Sequence, residues 1–279
     1  MISINKLRFG YYNNCLFDNL NLAMRVGHTY GLFGLNGAGK STLLHLICGL
    51  LFPDKGSCTI ETQESSKRNP EILQTLYLLP ESFDLPNIKI SSYVDLYEPF
   101  YPKFDRAYFH DLLNTLQVPP DRKTGEISFG QRKKFLISFA LATQCKLLLL
   151  DEPTNGLDIP SKSQFRKIIA AADNTNRCIV VSTHQVRDLE TMIDHMTVLH
   201  NGDIIFQQSI AEINQNLQTC TFADRKSSTE LLYHEDTLGG QNAIVAREAG
   251  DDESKVDLEL LFNGIIQNTD EINRPFNKK

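Results

Sequence analysis

The chain has 279 residues, enough for one large domain or for one domain with a small companion. Its 41% hydrophobic and 22% charged content is ordinary for a soluble globular protein, and no apolar run approaches the ~20 residues needed to span a bilayer. A net charge of -6 argues against a general nucleic-acid binder, so no nucleic acid is expected among its partners.

Residues 1–27 alternate apolar and polar side chains, which predicts antiparallel strands with a turn at Asn13-Asn14. The opening MISINKLRFGYYNN has no basic stretch followed by an apolar core, so no signal peptide is expected. Next comes TYGLFGLNGAGKSTLLHLICGLLFPDKG, read as a buried strand, a glycine-rich loop and a helix from about Lys40, with Gly49 and Pro53 marking its end. Residues 57–80 are read as further short strands, ending in TLYLLP. From about 85 to 145 the spacing turns helical, broken at Pro99 and Pro102. KLLLLDEP and RCIVVSTH are continuous apolar runs of the kind buried on both faces of a parallel sheet, with a helix expected between them at about 160–173.

Residues 197–208 predict a hairpin turning at Asn201-Gly202, followed by a helix at about 209–217. Past 219 the chain is more acidic. TELLYH and NAIVAR are read as strands, GDDES at 250–254 as a loop, and VDLELLFNGII as a helix capped by Asp257 with Leu258, Leu261, Phe262 and Ile265 on one face. The six cysteines, at 15, 48, 58, 145, 178 and 220, form no CxxC pair and read as reduced thiols, mostly in the core. The fold class expected is α/β, a mainly parallel P-loop core with an antiparallel β subdomain, a helical subdomain at about 85–145 and a small C-terminal α+β subdomain at 219–279.

The chemistry concentrates in four places. Gly34-Leu35-Asn36-Gly37-Ala38-Gly39-Lys40-Ser41 fits G-x-x-x-x-G-K-[ST] between a predicted strand and a predicted helix. Small residues let backbone N–H groups wrap phosphates, Lys40 reaches the β- and γ-phosphates, Ser41 Oγ is the expected Mg²⁺ ligand, and Thr42 N–H the donor to the α-phosphate. Asp151 and Glu152 close a strand. Alternation sends their side chains different ways, so Asp151 suits the metal and Glu152 an attacking water, as general base. His184 closes the next strand on the carboxyl side, where a γ-phosphate contact is expected. In EISFGQRKKFL, Ser128 can cap a helix whose free N–H groups, with Arg132, Lys133 and Lys134 close behind, favour an anion.

With these motifs in order, residues 1–218 resemble the ATP-binding subunit of ABC (ATP-binding cassette) transporters. GLNGAGKST at 34–42 looks like Walker A, LLLLDE at 147–152 like Walker B, ISFGQ at 127–131 like the LSGGQ signature, NGLD at 155–158 like the D-loop, and STH at 182–184 like the switch histidine. The resemblance implies ATP and Mg²⁺ held by Gly34, Asn36, Gly37, Ala38, Gly39, Lys40, Ser41 and Thr42, with Tyr11 stacking on adenine and Tyr12 as the next best match. It implies Glu152, His184 and Lys40 as catalytic residues. Ser41, Asp151 and, at the usual place of a glutamine, Glu81 are the implied metal residues. It also implies that Ser128, Gly130, Gln131 and Asp158 serve a second copy, in a homodimer bound to a separate membrane permease on the inner face of the cell membrane. The insertion and Pro80-Glu81 look most like exporters with a separate permease. Phe129 replaces the first glycine of the signature. A soluble non-transporting cassette and an ATP-driven dimer switch with weak hydrolysis stay as alternatives.

Overall fold

The computed structural model describes residues 1–12, 14–172, 175–222, 231–238, 240–247 and 255–277. The elements run in chain order as β1 (Ile2–Tyr11), β2 (Asn14–Met24), β3 (His28–Phe33), α1 (Lys40–Ile47), β4 (Lys55–Ile60), β5 (Gln63–Glu64), α2 (Pro70–Leu73), β6 (Leu76–Leu79), α3 (Ile90–Tyr97), α4 (Arg106–Thr115) and α5 (Phe129–Ala142). They continue as β7 (Leu147–Asp151), α6 (Ile159–Ala171), β8 (Cys178–Thr183), β9 (His195–His200), β10 (Asp203–Ser209), α7 (Ile210–Asn216), β11 (Leu217–Phe222), β12 (Leu231–Thr237), β13 (Gly240–Ala246), α8 (Leu258–Gln267) and α9 (Thr269–Asn273).

The central sheet has the order β10-β9-β3-β8-β7-β6. Every pairing from β9 to β6 is parallel, and only β10 runs against its neighbour. Every residue of β7 and β8 is buried, because helices and a second sheet cover the two faces, so these strands show no alternation. All four of β3, β7, β8 and β6 deliver their carboxyl ends to one edge. The phosphate loop, Asp151-Glu152, His184 and Glu81 follow those ends. A second, antiparallel sheet, β2-β1-β4-β5, packs Phe17, Leu20 and Ile60 on α1 and the underside of the central sheet.

The helical region is held by aromatic rings. Phe139 of α5 meets Phe104 at 5.0 Å and Tyr93 at 5.5 Å, and Phe135 meets Tyr93 at 5.0 Å, edge to face. From Phe135 to Ala142 every residue of α5 is buried, so this helix is a core element that carries its N-terminus outward.

Three expectations are corrected. Asn14 already pairs with Tyr11 inside β2, so the first reversal is not at Asn13-Asn14 but lies between Tyr11 and Asn14, and Asn13 itself is outside the described residues. The 57–80 stretch is not all strand: Asn69 caps the short helix α2 through the Glu71 amide, with Pro70 at the first helical position, a start signal that was present in NPE. β11, from Leu217 to Phe222, was not expected as a strand and pairs along β13. GDDES lies outside the described residues.

β11-β13-β12 form a third, antiparallel sheet, and α8 packs across it. Asp257 caps α8 by accepting the amides of Glu259 and Leu260, and Leu258, Leu261, Phe262 and Ile265 are buried as the spacing predicts. Phe262 meets Phe33 of β3 at 6.4 Å, and Leu261 and Ile265 join the same apolar core as Val198 and Phe206, so this region shares the core of the central sheet. Arg187, just past His184, pairs with Glu259 of α8. All six cysteines are free thiols, four of them buried.

Candidate nucleotide site

The phosphate loop crosses from β3 to α1 at the carboxyl edge of the sheet. Gly37 and Gly39 take φ of +80° and +100°, which side chains resist. A Cβ on Gly37 would meet nothing within 4 Å, whereas one on Gly39 would strike Phe17. Gly37 therefore faces open space as a bare backbone, and Gly39 is required by packing. Gly39 is also the cap residue of α1 and offers no side-chain acceptor. The first-turn amides of Lys40, Ser41 and Thr42 are left for an anion, with the helix dipole behind them. Phosphates fit this cradle on these grounds.

A pocket of about 320 Å³ opens over the loop, lined by Tyr11, Asn36, Gly37, Gly39, Lys40, Ser41, Thr42, Glu81 and Glu152 among others. Residues read from separate motifs thus share one cavity. Tyr11 lies at its wall, and its hydroxyl is 3.3 Å from Thr42 Oγ1. Tyr12 is fully exposed and outside the pocket. Lys40 Nζ donates to the carbonyls of Gly34 (2.9 Å) and Leu35 (3.3 Å) and stands 3.7 Å from Glu152 Oε1. Ala38 donates its N–H to Leu35 O and closes the loop.

Asp151 and Glu152 do face different ways. Asp151 is buried and accepts the Ser182 hydroxyl across the β7/β8 pair. Glu152 sits at φ +43°, a left-handed conformation that turns its side chain out of the strand alternation and into the pocket. Its carboxylate is fixed on both oxygens. Oε2 accepts from Thr183 Oγ1 at 3.0 Å, while Oε1 accepts from the His184 N–H at 3.0 Å and lies 2.8 Å from His184 Nδ1. His184 therefore stands against the carboxylate, one third of its side chain open to solvent. Glu81 Oε1 accepts from Asn155 Nδ2 at 3.0 Å, joining the strand-end acid to the loop after Glu152. Ser41, Asp151 and Glu81 supply the hydroxyl and carboxylate oxygens that Mg²⁺ prefers.

Ser128, Gly130, Gln131 and Asp158 line no part of that pocket. Ser128 is exposed at the start of α5 and makes a capping box: its Oγ accepts the Gln131 amide, and Gln131 Oε1 accepts the Ser128 amide, both at 3.2 Å. Gln131 is thereby occupied with its own helix. Asp158 caps α6, accepting the Ser161 amide at 2.9 Å, and the Ser161 hydroxyl first, with that amide bond second, holds its carboxyl below the usual range.

Sequence reasoning missed two roles. Lys133 does not face an anion with Arg132 and Lys134. It is wholly buried, and its Nζ donates to the carbonyls of Glu152 (2.6 Å) and Asn155 (2.9 Å), tying the signature helix to the strained backbone under Glu152. Phe129 stacks on Phe83 at 5.3 Å, and its ring lies against Gly156, where a Cβ would come within 2.9 Å. The bulky replacement thus fills a gap between the segments that follow Glu81 and Glu152. Neither contact has a periodic signal in the sequence.

Burial pulls the Lys133 ammonium down to about 8, against the raising pull of the Glu81, Glu152 and Asp151 carboxylates. A neutral amine still has two N–H groups for its two carbonyls. Between pH 8 and the ordinary lysine range the unfolded chain holds the extra proton, so the contribution of this group to stability rises with pH across that window. Relative to Lys133→Met, the wild-type chain is expected to gain of the order of 2 kcal/mol between pH 7.5 and pH 10.5 in denaturant unfolding. A constant difference would show that Lys133 stays charged in the fold.

Fold and site together define a P-loop nucleotide-binding cassette. The family model described as "ABC transporter" matches residues 17–155. The chain is 31% identical over 218 residues to the high-affinity zinc uptake system ATP-binding protein ZnuC of Bacillus subtilis, covering 73% of this chain and 92% of that protein. It is 27% identical over 219 residues to the ABC transporter ATP-binding protein YtrB of Bacillus subtilis, covering 77% and 74%. Among solved structures it resembles the dimeric, post-hydrolysis form of an ATP-binding cassette bound to ADP and Pi, with a TM-score of 0.66 at 20% identity, covering 75% and 98%. The chain belongs to the family of ABC transporter ATP-binding proteins.

Proposed function

We propose that this chain binds and hydrolyses ATP as one of two identical subunits that close around two nucleotides and drive a separate membrane permease, with export as the direction. The observation that carries the reading is the divided site. The phosphate loop, Glu152 and Glu81 share one pocket, with His184 against the Glu152 carboxylate, while Ser128 and Gly130 stand away from it on an exposed, capped helix start. A second copy could bring that helix start to the γ-phosphate, as the dimeric cassette cited above encourages. Bound Mg²⁺ would neutralise phosphate charge. Glu152 holds the water and accepts its proton, His184 keeps that carboxylate aimed, and Lys40 lies at the phosphate end of the pocket. Residues 219–279 are read as a small subdomain that braces the sheet from below Phe33.

No helix among the described residues is long and apolar enough to cross a membrane. A permease on another chain would give this one a place on the inner face of the cell membrane. An exposed apolar surface supports that reading. A groove of about 380 Å³ between α1 and the helical region is lined by Leu50, Leu73, Leu76, Phe100 and Tyr101, and Leu50 and Phe100 are more than half exposed. Export rests on Pro80-Glu81 and the helical insertion.

Two experiments test this. The native chain captured from gently solubilised membranes should carry a polytopic protein in stoichiometric amount. A wholly soluble chain would overturn the transporter reading. The double variant Leu50→Glu/Phe100→Glu should lose the permease, with roughly tenfold or greater loss of capture, because two charges in an apolar contact cost several kcal/mol. Its ATP turnover in isolation should stay within about twofold of wild type.

A further inference from the structure

At the edge of the central sheet opposite the phosphate loop, three side chains converge that the nucleotide chemistry does not use. His28 opens β3, His195 opens the parallel neighbour β9, and Asp194 immediately precedes it. Nδ1 of His28 lies 3.4 Å from Asp194 Oδ1, and Nδ1 of His195 lies 2.6 Å from the same oxygen. One ligand atom from each residue lies within 4.8 Å of the other two. The rings meet edge to face at 4.4 Å.

The carboxylate is held from behind. Asp194 Oδ2 accepts the Thr29 N–H at 3.1 Å, and the Asp194 N–H donates to Thr29 O at 3.0 Å. The His195 ring rests against Tyr30 at 4.7 Å, and the Tyr30 hydroxyl is already taken by the Arg25 amide. Two hydrogen-bonded strands therefore carry the imidazoles, and a backbone amide aims the carboxylate, the kind of support that orients metal ligands. His28 and Asp194 are partly open to solvent, which leaves room for water on the outer side.

We propose that His28, Asp194 and His195 form a divalent transition-metal site, with Zn²⁺ as the ion that suits the donor set. Two imidazole nitrogens and one carboxylate oxygen are borderline donors of the kind zinc takes, with a fourth position left to water. Mg²⁺ and Ca²⁺ prefer oxygen alone. Ligand atoms each ~2.1 Å from a tetrahedral ion stand roughly 3.4 Å apart. The His28–Asp194 pair already has that spacing, and the His195 ring needs to retreat by less than ~1 Å. The carboxylate offsets part of the ionic charge. The ion would clamp the starts of β3 and β9, at the far end of the strand that leads into the phosphate loop.

The test uses the full chain, stripped with a chelator and titrated calorimetrically with Zn²⁺ in excess Mg²⁺. The wild type should bind one equivalent that both His195→Gln and Asp194→Asn weaken at least ~10-fold. Asn at 194 still accepts the Thr29 amide, so that variant keeps the local backbone and stays informative if His195→Gln folds poorly. Both variants should retain wild-type Mg-ATP turnover, because these residues lie outside the nucleotide pocket. With Co²⁺ in place of zinc, the visible spectrum should show nitrogen and oxygen ligation without thiolate charge transfer. No saturable binding by the wild type, affinity unchanged in Asp194→Asn, or thiolate bands that place the ion on cysteine would each overturn the proposal.

Discussion

Glu152→Gln is expected to lower ATP turnover by about 10²–10⁴-fold while leaving nucleotide binding and the fold intact. The local geometry explains why the exchange is so selective. Three donors converge on Oε1: the His184 amide, His184 Nδ1 and, at 3.7 Å, Lys40 Nζ. A glutamine would place its carbonyl oxygen there. Its NH₂ would then fall at the Oε2 position, facing the Thr183 hydroxyl, which can accept as well as donate. The side chain keeps its shape and its hydrogen bonds and loses its basicity and the charge that faces Lys40. The melting temperature should move by no more than a few degrees, since the substitution is isosteric and leaves no buried group unpaired. If Glu152 is the base, the variant should also accumulate as an ATP-dependent dimer, visible by size-exclusion chromatography with and without nucleotide. Normal turnover by Glu152→Gln would move the base elsewhere and remove the hydrolytic reading of this pocket.

The parts of that pocket were legible because each is a local pattern. LLLLD and CIVVST announce buried strands by composition alone, and GLNGAGKST sits where strand gives way to helix. The parallel sense of the central strands also followed, since apolar runs alternating with helices make a parallel sheet whose carboxyl ends share an edge. What stayed hidden depends on backbone angles and on contacts distant in sequence. Nothing in LLDEPT says that Glu152 takes a positive φ, yet that angle is what sends its carboxylate to Lys40 and His184. RKK reads as three bases backing an anion site, and only the packing of α5 against the end of β7 turns the middle one inward to Glu152 O. Phe129 looked like a lost glycine and is a stacked ring between Phe83 and Gly156. Likewise His28 and His195 are far apart in the chain. Their meeting follows from β9 pairing beside β3, which no local periodicity encodes.

Mixing two inactive variants tests the divided site directly. Lys40→Ala removes the cation over the phosphates, and Ser128→Arg puts a bulky side chain where the exposed cap of α5 should meet a second copy. Each variant alone is expected to fall at least ~100-fold in turnover, the first by losing phosphate charge compensation and the second by blocking closure. In a mixed dimer the two lesions fall in the same composite site. The Lys40→Ala chain brings its damaged phosphate loop to the partner's damaged signature, and the other site joins an intact loop to an intact helix start. A symmetric dimer with random pairing makes half the population mixed, each with one whole site, so an equimolar mixture should recover up to about a quarter of wild-type turnover. Adding Glu152→Gln to the Ser128→Arg chain should abolish that recovery, because the surviving site uses that chain's pocket. Adding it to the Lys40→Ala chain should not. No recovery on mixing would show that both lesions act within one chain. Ser128 would then be only the cap of its own helix, and the P-loop pocket would have to work without a partner.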